Sequence, residues 1–179
     1  MISSHFLETS KKNNLTLAIT ATANAVAVAE HVMFMLLNIS KRKTMYDDTV
    51  KEGKFNDRNK LPKTVELWGK NILIAGFGRI GQEVAKMAIG LGMKVLAFDP
   101  YVEKVDLTLN LPMLGAQSRV KVPLQTVSEH SVITQSDFIT FHIPFNEGDK
   151  SPIDATMIAK MKKGVALINC SRGGVISEA

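Results

Sequence analysis

The stretch NILIAGFGRIG at residues 71–81 runs from an apolar segment straight into glycines at 76, 78 and 81. Residues 72–75 are continuously apolar, the pattern of a strand buried on both faces. Beyond the glycines, Ile80, Val84, Ala88 and Leu91 recur at helical spacing over residues 79–91, and Gly92 supplies a stop. A strand, a glycine turn and an amphipathic helix therefore follow one another with nothing between them. Gly76 permits the tight turn, and Gly78 lets the backbone approach a ligand with no Cβ in the way. Gly81 lets the helix pack on the strand while the free N–H groups of its first turn face an anion.

The alternation of strand and helix continues downstream. Residues 94–98, KVLAF, read as the next strand and end at Asp99-Pro100. Residues 101–123 are irregular apart from a short strand at 119–122, and a helix is expected at 124–134. The strand at 138–142 is ended by Pro144. Asp154 then caps a helix reaching Met161, with Lys162 and Lys163 at its negative end and Gly164 as its stop. Residues 165–169 form the last strand. Strands of this kind separated by helices imply a parallel sheet with right-handed crossovers. Upstream, a polar helical piece at 2–12 precedes a short strand at 15–20, LTLAIT. Asn24 is a candidate N-cap for a helix over 25–43, with Val28, Val32, Met35, Leu36 and Ile39 on one apolar face.

A chain of 179 residues, 45% hydrophobic and 22% charged, suits one domain with a sizeable core, or one domain and a piece of another. The net charge of +5 raises the question of nucleic acid, but residues 41–63 alone hold eight Lys/Arg against four Asp/Glu. Both signs are mixed there, with only Tyr46 and Phe55 available to stack on bases. A solvated connection is favoured over a nucleic-acid surface. The single cysteine, Cys170, excludes an intrachain disulfide and suits a reducing compartment. The first residues lack the pattern of a signal peptide. The greasiest segment, 26–39, is interrupted by Glu30, His31 and Asn38 and is too short to span a bilayer. The expectation is a cytoplasmic protein with no membrane, nucleic-acid or metal partner.

In an open parallel sheet, ligands bind beyond the carboxyl ends of the strands. The G-x-G-x-x-G of residues 76–81 stands in the strand–helix context that a dinucleotide pyrophosphate requires. Asp99 ends the second strand, where a carboxylate accepts hydrogen bonds from both hydroxyls of the adenosine ribose and repels a 2′-phosphate. That favours NAD over NADP. Arg79 reads equally as a pyrophosphate contact or as a solvated first-turn residue. His142-x-Pro144 offers a ring and backbone to a cofactor, although a lone strand-end histidine is more often structural. Arg172, between Ser171 and the Gly173-Gly174 pair, has the chemistry to grip a carboxylate through two parallel hydrogen bonds and polarise an adjacent carbonyl. From the residues alone, an exposed loop arginine is an equal alternative.

Taken together, LWGKNILIAGFGRIGQEVAKMAIGLGMKVLAFDPY, SDFITFHIP and MKKGVALINCSRGGVISEA resemble, in order and spacing, the D-isomer-specific 2-hydroxyacid dehydrogenases, the group that includes phosphoglycerate dehydrogenase. ANAVAVAEH resembles the segment entering their nucleotide domain. The resemblance implies an α/β, Rossmann-like doubly wound parallel sheet over 21–179, incomplete at its C-terminal end, with residues 1–20 as a remnant of a substrate domain. It implies NAD as hydride acceptor and a D-2-hydroxy acid, such as 3-phosphoglycerate, or the 2-keto acid as substrate. The implied NAD contacts are Gly76, Gly78, Arg79, Ile80, Asp99, His142, Pro144 and Cys170, joined by Gly81, Pro100 and Ser171, with Asn24 and Val28 near the nicotinamide. Arg172 is the implied catalytic arginine. Asn146 stands where the family commonly has threonine. The family's histidine base and its supporting glutamate follow the arginine motif, and His5, His31, His130 and His142 do not match that histidine's motif. The chain thus reads as a fragment truncated at both ends and inactive alone; the apolar face of residues 26–39 fits a homodimer of the full-length protein, and equally an interdomain contact within one chain. A non-enzymatic, NAD-responsive binding module of the corepressor type is the alternative.

Overall fold

The computed structural model describes residues 4–16, 23–110, 118–127, 130–146 and 148–177. Its centre is a four-stranded parallel sheet of β1 (Asn71–Ala75), β2 (Lys94–Phe98), β5 (Phe138–Phe141) and β6 (Ala166–Asn169), in the order β2-β1-β5-β6. The register pairs Ile72 with Val95 on one side and with Phe138 on the other. Residues 72–75 are all buried, as their unbroken apolar character demands. Between β1 and β2 runs α4 (Arg79–Gly90), with Gly81, Val84, Ala85 and Ala88 buried. Gly92 follows at φ 72°, the left-handed residue expected just past a helix end.

The helix α2 (Ala25–Lys41) packs beside α4 and reaches β6. Its buried face comprises Ala25, Ala29, Val32, Met33, Leu36 and Ser40, so the expected face is rotated by about one residue. Ile39 is 44% exposed, while Ala25 and Ala29 face inward because small residues let two helices approach closely. Asn24 occupies the N-cap position, but its side chain makes no capping bond. The helix also stops earlier than expected. Arg42 turns left-handed at φ 50° and anchors through Nε to the Lys63 carbonyl at 3.1 Å, and α3 (Lys43–Lys51) begins anew. Neither α3 nor the 3-10 turn Phe55–Lys60 buries a residue, which fits the solvated connection read from its mixed charge. Upstream, α1 (Ser4–Lys12) matches the polar helical piece, and most of the expected strand at 15–20 lies outside the described residues.

The largest departure follows β2. Instead of irregular chain and a helix at 124–134, β3 (Lys104–Asn110) and β4 (Arg119–Gln125) form an antiparallel pair of seven facing residue pairs. Leu124, expected to begin the helix, faces Val105, and Pro123 sits opposite Asp106 in a two-stranded sheet where a missing N–H is tolerated. Leu107 plugs the pair into the α2–α4 core. Only a 3-10 turn, His130–Gln135, remains of the expected helix. Further on, Asp154 does cap α5 (Ala155–Ala159), its carboxylate accepting from Met157 N–H at 2.9 Å, but that helix ends before Met161.

At the amino ends of the strands, Asp137 accepts from Asn71 N–H at 3.0 Å and pairs with Lys162. Burial alone would raise its carboxyl, yet Lys162 and the Asn71 amide outweigh burial and hold it below the usual value. The opposite face of the sheet carries a second apolar cluster of Leu73, Ile139, Phe141, Ile153 and Val175. Among the described residues, no helix is long and apolar enough to cross a membrane.

Candidate functional site

The three glycines at the carboxyl end of β1 do three different things. Gly76 adopts φ 92°, and a Cβ there would lie 2.6 Å from the His142 carbonyl oxygen, so the loop is pressed against the end of β5. A Cβ on Gly81 would meet the Gly76 carbonyl oxygen at 2.2 Å, which requires glycine for the helix to sit on its own loop. Gly78 has neither constraint: its φ is −73° and a Cβ would have nothing within 4 Å. Its missing side chain leaves open space outside the protein rather than relieving a contact within it. No side chain caps α4 at Gly78, and the first-turn N–H groups of a helix have no intrahelical acceptor. Here, then, are a positive dipole end and a backbone surface that an anion can approach. Phe77 is fully buried and acts as the inward anchor of the loop.

Asp99 closes the loop from β2. Phe77 N–H donates to its Oδ2 at 2.7 Å and Tyr101 N–H donates to its Oδ1 at 2.8 Å. The sequence predicts only a ribose acceptor at this position, and the structure adds a bracing role. A carboxylate has about four lone-pair sites, so two remain for a diol. Arg79 and Pro100 are exposed, and Ile80 packs partly on the core.

His142 leaves β5 with its N–H on the Ala75 carbonyl at 2.7 Å. Its Nε2 lies 3.0 Å from the hydroxyl of the buried Thr140, while Nδ1 is buried with no partner among the described residues. Burial pushes its pKa down to about 4, so the ring is neutral at neutral pH. A buried, unsatisfied ring nitrogen costs about 1–3 kcal/mol. Pro144 is exposed just beyond.

At the end of β6, Asn169 organises the turn. Its Oδ1 accepts from Ser171 N–H at 3.0 Å and from the Ser171 hydroxyl at 2.7 Å, and its Nδ2 donates to the Arg172 carbonyl at 2.8 Å. Arg172 is exposed, has no acidic partner among the described residues, and donates from Nη1 only to the neighbouring Ser171 carbonyl. Gly174 at φ 85° packs against the Phe145 ring, 2.5 Å from where its Cβ would be. Cys170 turns towards Met35 of α2, Sγ to Sδ 3.7 Å, and burial pushes its thiol up. Ala27, Val28, His31 and Met35 of α2 line one cleft with Asn169 and Cys170. Val28 therefore does reach the end of β6, whereas Asn24 lies exposed at the start of its helix.

The glycine loop, Asp99 and His142 are thus tied together at the carboxyl ends of β1, β2 and β5, with Arg172 in the turn beyond β6, the strand next to β5. The sequence reading missed Phe77, Thr140 and Asn169 as organising residues. For Asn169 a signal was present: an Asn at a strand end with a small residue two positions on favours a side-chain-to-backbone turn. No cluster of His, Cys, Asp or Glu suited to a metal is found among the described residues.

Residues 33–179 match the family model described as D-isomer specific 2-hydroxyacid dehydrogenase, NAD binding domain. The chain is 36% identical over 172 residues to the hydroxypyruvate reductase of Thermotoga maritima, covering 96% of this chain and 51% of that protein. It is 38% identical over 157 residues to D-3-phosphoglycerate dehydrogenase 2, chloroplastic, of Arabidopsis thaliana, covering 88% of this chain and 23% of that one. The solved structure of a D-2-hydroxyisocaproate dehydrogenase superposes with a TM-score of 0.76 at 25% identity, over 96% of this chain and 47% of that one. The chain therefore spans from about a quarter to about half the length of these proteins. A non-enzymatic binding module finds no support among them.

Proposed function

The chain belongs to the D-isomer specific 2-hydroxyacid dehydrogenases, of which it carries the NAD-binding domain, and on that premise we propose how its residues divide the work. The carrying observation is the open space over Gly78 at the uncapped start of α4, in a loop that Asp99 braces through the Phe77 amide. The α4 amides hold the pyrophosphate, with Gly76 and Gly81 shaping the loop and Arg79, Ile80 and Pro100 at its rim. Asp99 takes the adenosine ribose, while His142, Pro144, Cys170 and Ser171 line the way to the nicotinamide, near Val28 and Asn24. Bound NAD accepts a hydride from the carbon bearing the substrate hydroxyl. Arg172 grips the substrate carboxylate and polarises the neighbouring carbonyl, supported by its exposure and its lack of an acidic partner among the described residues.

The reaction also needs a base for the hydroxyl proton, and His142, neutral down to about pH 4, is poorly suited to it. These 179 residues alone therefore bind NAD without turning over a 2-hydroxy acid. Residues 1–20 belong to a separate substrate-side domain, and the setting is cytoplasmic. The exposed apolar residues Val26, Phe34, Leu37 and Ile39 of α2 support a homodimer of the whole protein. Calorimetric titration with NAD and NADP tests the cofactor assignment: NAD binds, more weakly after Asp99→Ala, and tighter NADP binding would refute the role of Asp99. Oxidation of D-2-hydroxy acids by this chain at rates of about 1 per second or more would refute the missing base.

A further inference from the structure

We propose that Asn169 is a positioning residue for Arg172, setting where the guanidinium meets the substrate carboxylate. This rests on the reading of Arg172 as the carboxylate-binding group. Three hydrogen bonds radiate from one side-chain amide: two accepted from Ser171 and one donated to the Arg172 carbonyl. The orientation of the amide follows from its partners. A backbone N–H can only donate and a carbonyl can only accept, so Oδ1 must face Ser171 and Nδ2 must face Arg172. Among side chains of this length only asparagine offers both roles. Aspartate keeps the bonds from Ser171 but sets a carboxylate against the Arg172 carbonyl. Alanine loses all three.

Among the described residues, the Arg172 side chain itself is held only by its own neighbour, through Nη1 to the Ser171 carbonyl. Its placement therefore depends on the backbone it hangs from. That backbone leaves β6 at Asn169 and has no ladder partner over residues 170–174, before Ile176 bridges to Ile153. On the far side, Gly173 has open space around it and Gly174 adopts φ 85°. The amide of Asn169 is thus the nearest rigid tie between the sheet and the guanidinium.

Oxamate, a redox-inert 2-keto acid mimic, is titrated into the chain saturated with NADH, reading heat and NADH fluorescence. Asn169→Asp and Asn169→Ala lower oxamate affinity by roughly tenfold or more, as expected when a clamping group is misplaced by about an ångström. NADH affinity falls by less than oxamate affinity does, which a general loss of folding would not allow. Arg172→Gln abolishes oxamate binding. If Arg172→Gln binds oxamate as the unaltered chain does, or the unaltered chain binds none, the reading of Arg172 falls and this proposal with it. If Arg172→Gln loses oxamate but both Asn169 variants keep it, the positioning role alone is overturned. Should the variants not fold, hydrogen exchange in the unaltered chain still decides the matter. The Ser171 amide and the Asn169 side-chain amide must be protected, and exchange at unfolded-chain rates would overturn the clamp.

Discussion

Replacing each glycine of the loop in turn by alanine separates what the fold requires from what a ligand requires. Gly76→Ala combines a left-handed backbone at φ 92° with a Cβ 2.6 Å from the His142 carbonyl oxygen. The first costs about 1–2 kcal/mol and the second about 1–3 kcal/mol, giving about 2–5 kcal/mol. Gly81→Ala drives a Cβ to 2.2 Å from the Gly76 carbonyl oxygen, a backbone atom that cannot swing aside. It costs a similar ~2–5 kcal/mol once the loop is displaced. For a chain of this size each kcal/mol lowers Tm by about 2–4 °C, so both variants melt roughly 4–20 °C lower. Gly78→Ala has ordinary dihedrals and open space, and its cost is about 0.5–1 kcal/mol from a poorer N-cap, a few degrees at most. Yet its methyl stands where the pyrophosphate approaches. Losing one charge-assisted bond there, worth about 1.5–3 kcal/mol, weakens NAD about 10- to 150-fold. Thermal melting by circular dichroism and calorimetric titration with NAD read the two effects separately. The reasoning is refuted if Gly78→Ala melts as low as Gly81→Ala, or binds NAD within about threefold of the unaltered chain.

The partly buried His142 makes stability depend on pH. Its folded pKa of about 4 lies below the ordinary histidine value of 6.5, so the unfolded chain binds the proton first. Stability is whole above pH 6.5 and is lost as pH falls towards 4, by up to about 3 kcal/mol. Urea midpoints at pH 7 and 4.5 should diverge in the unaltered chain and converge in His142→Leu; equal divergence in both would assign the effect elsewhere. Thr140→Val strands His142 Nε2 as well as Nδ1 and should cost about 1–3 kcal/mol in urea unfolding. Leu107→Ala removes the buried plug of the β3–β4 pair, costing about 2–5 kcal/mol, with amides of β3 and β4 losing exchange protection while those of β1 keep theirs.

Sequence alone was enough for features whose cause lies within a few residues. β1 is a continuous apolar run, α4 keeps a 3.6-residue apolar spacing between Gly78 and Gly92, and KVLAF at 94–98 is a strand to the residue. Asp154 caps a helix because its carboxylate meets an amide three positions on. That the glycine loop, Asp99, His142 and Arg172 stand at or just beyond strand ends was legible in the same way, since those ends are marked locally.

What only the tertiary structure decided depended on partners far along the chain. Leu124 and its neighbours have helical spacing, but seven facing pairs with residues 104–110 make them a strand, because cross-strand bonds outweigh a weak local preference. The inward face of α2 was chosen by α4, which admits Ala25 and Ala29 at close approach and leaves Ile39 outside. Asp99 showed its second task only when Phe77 was brought within 2.7 Å of it from another strand end. A sequence shows which groups a residue carries. Which of them are left free for a ligand is settled by what the folded chain has already used.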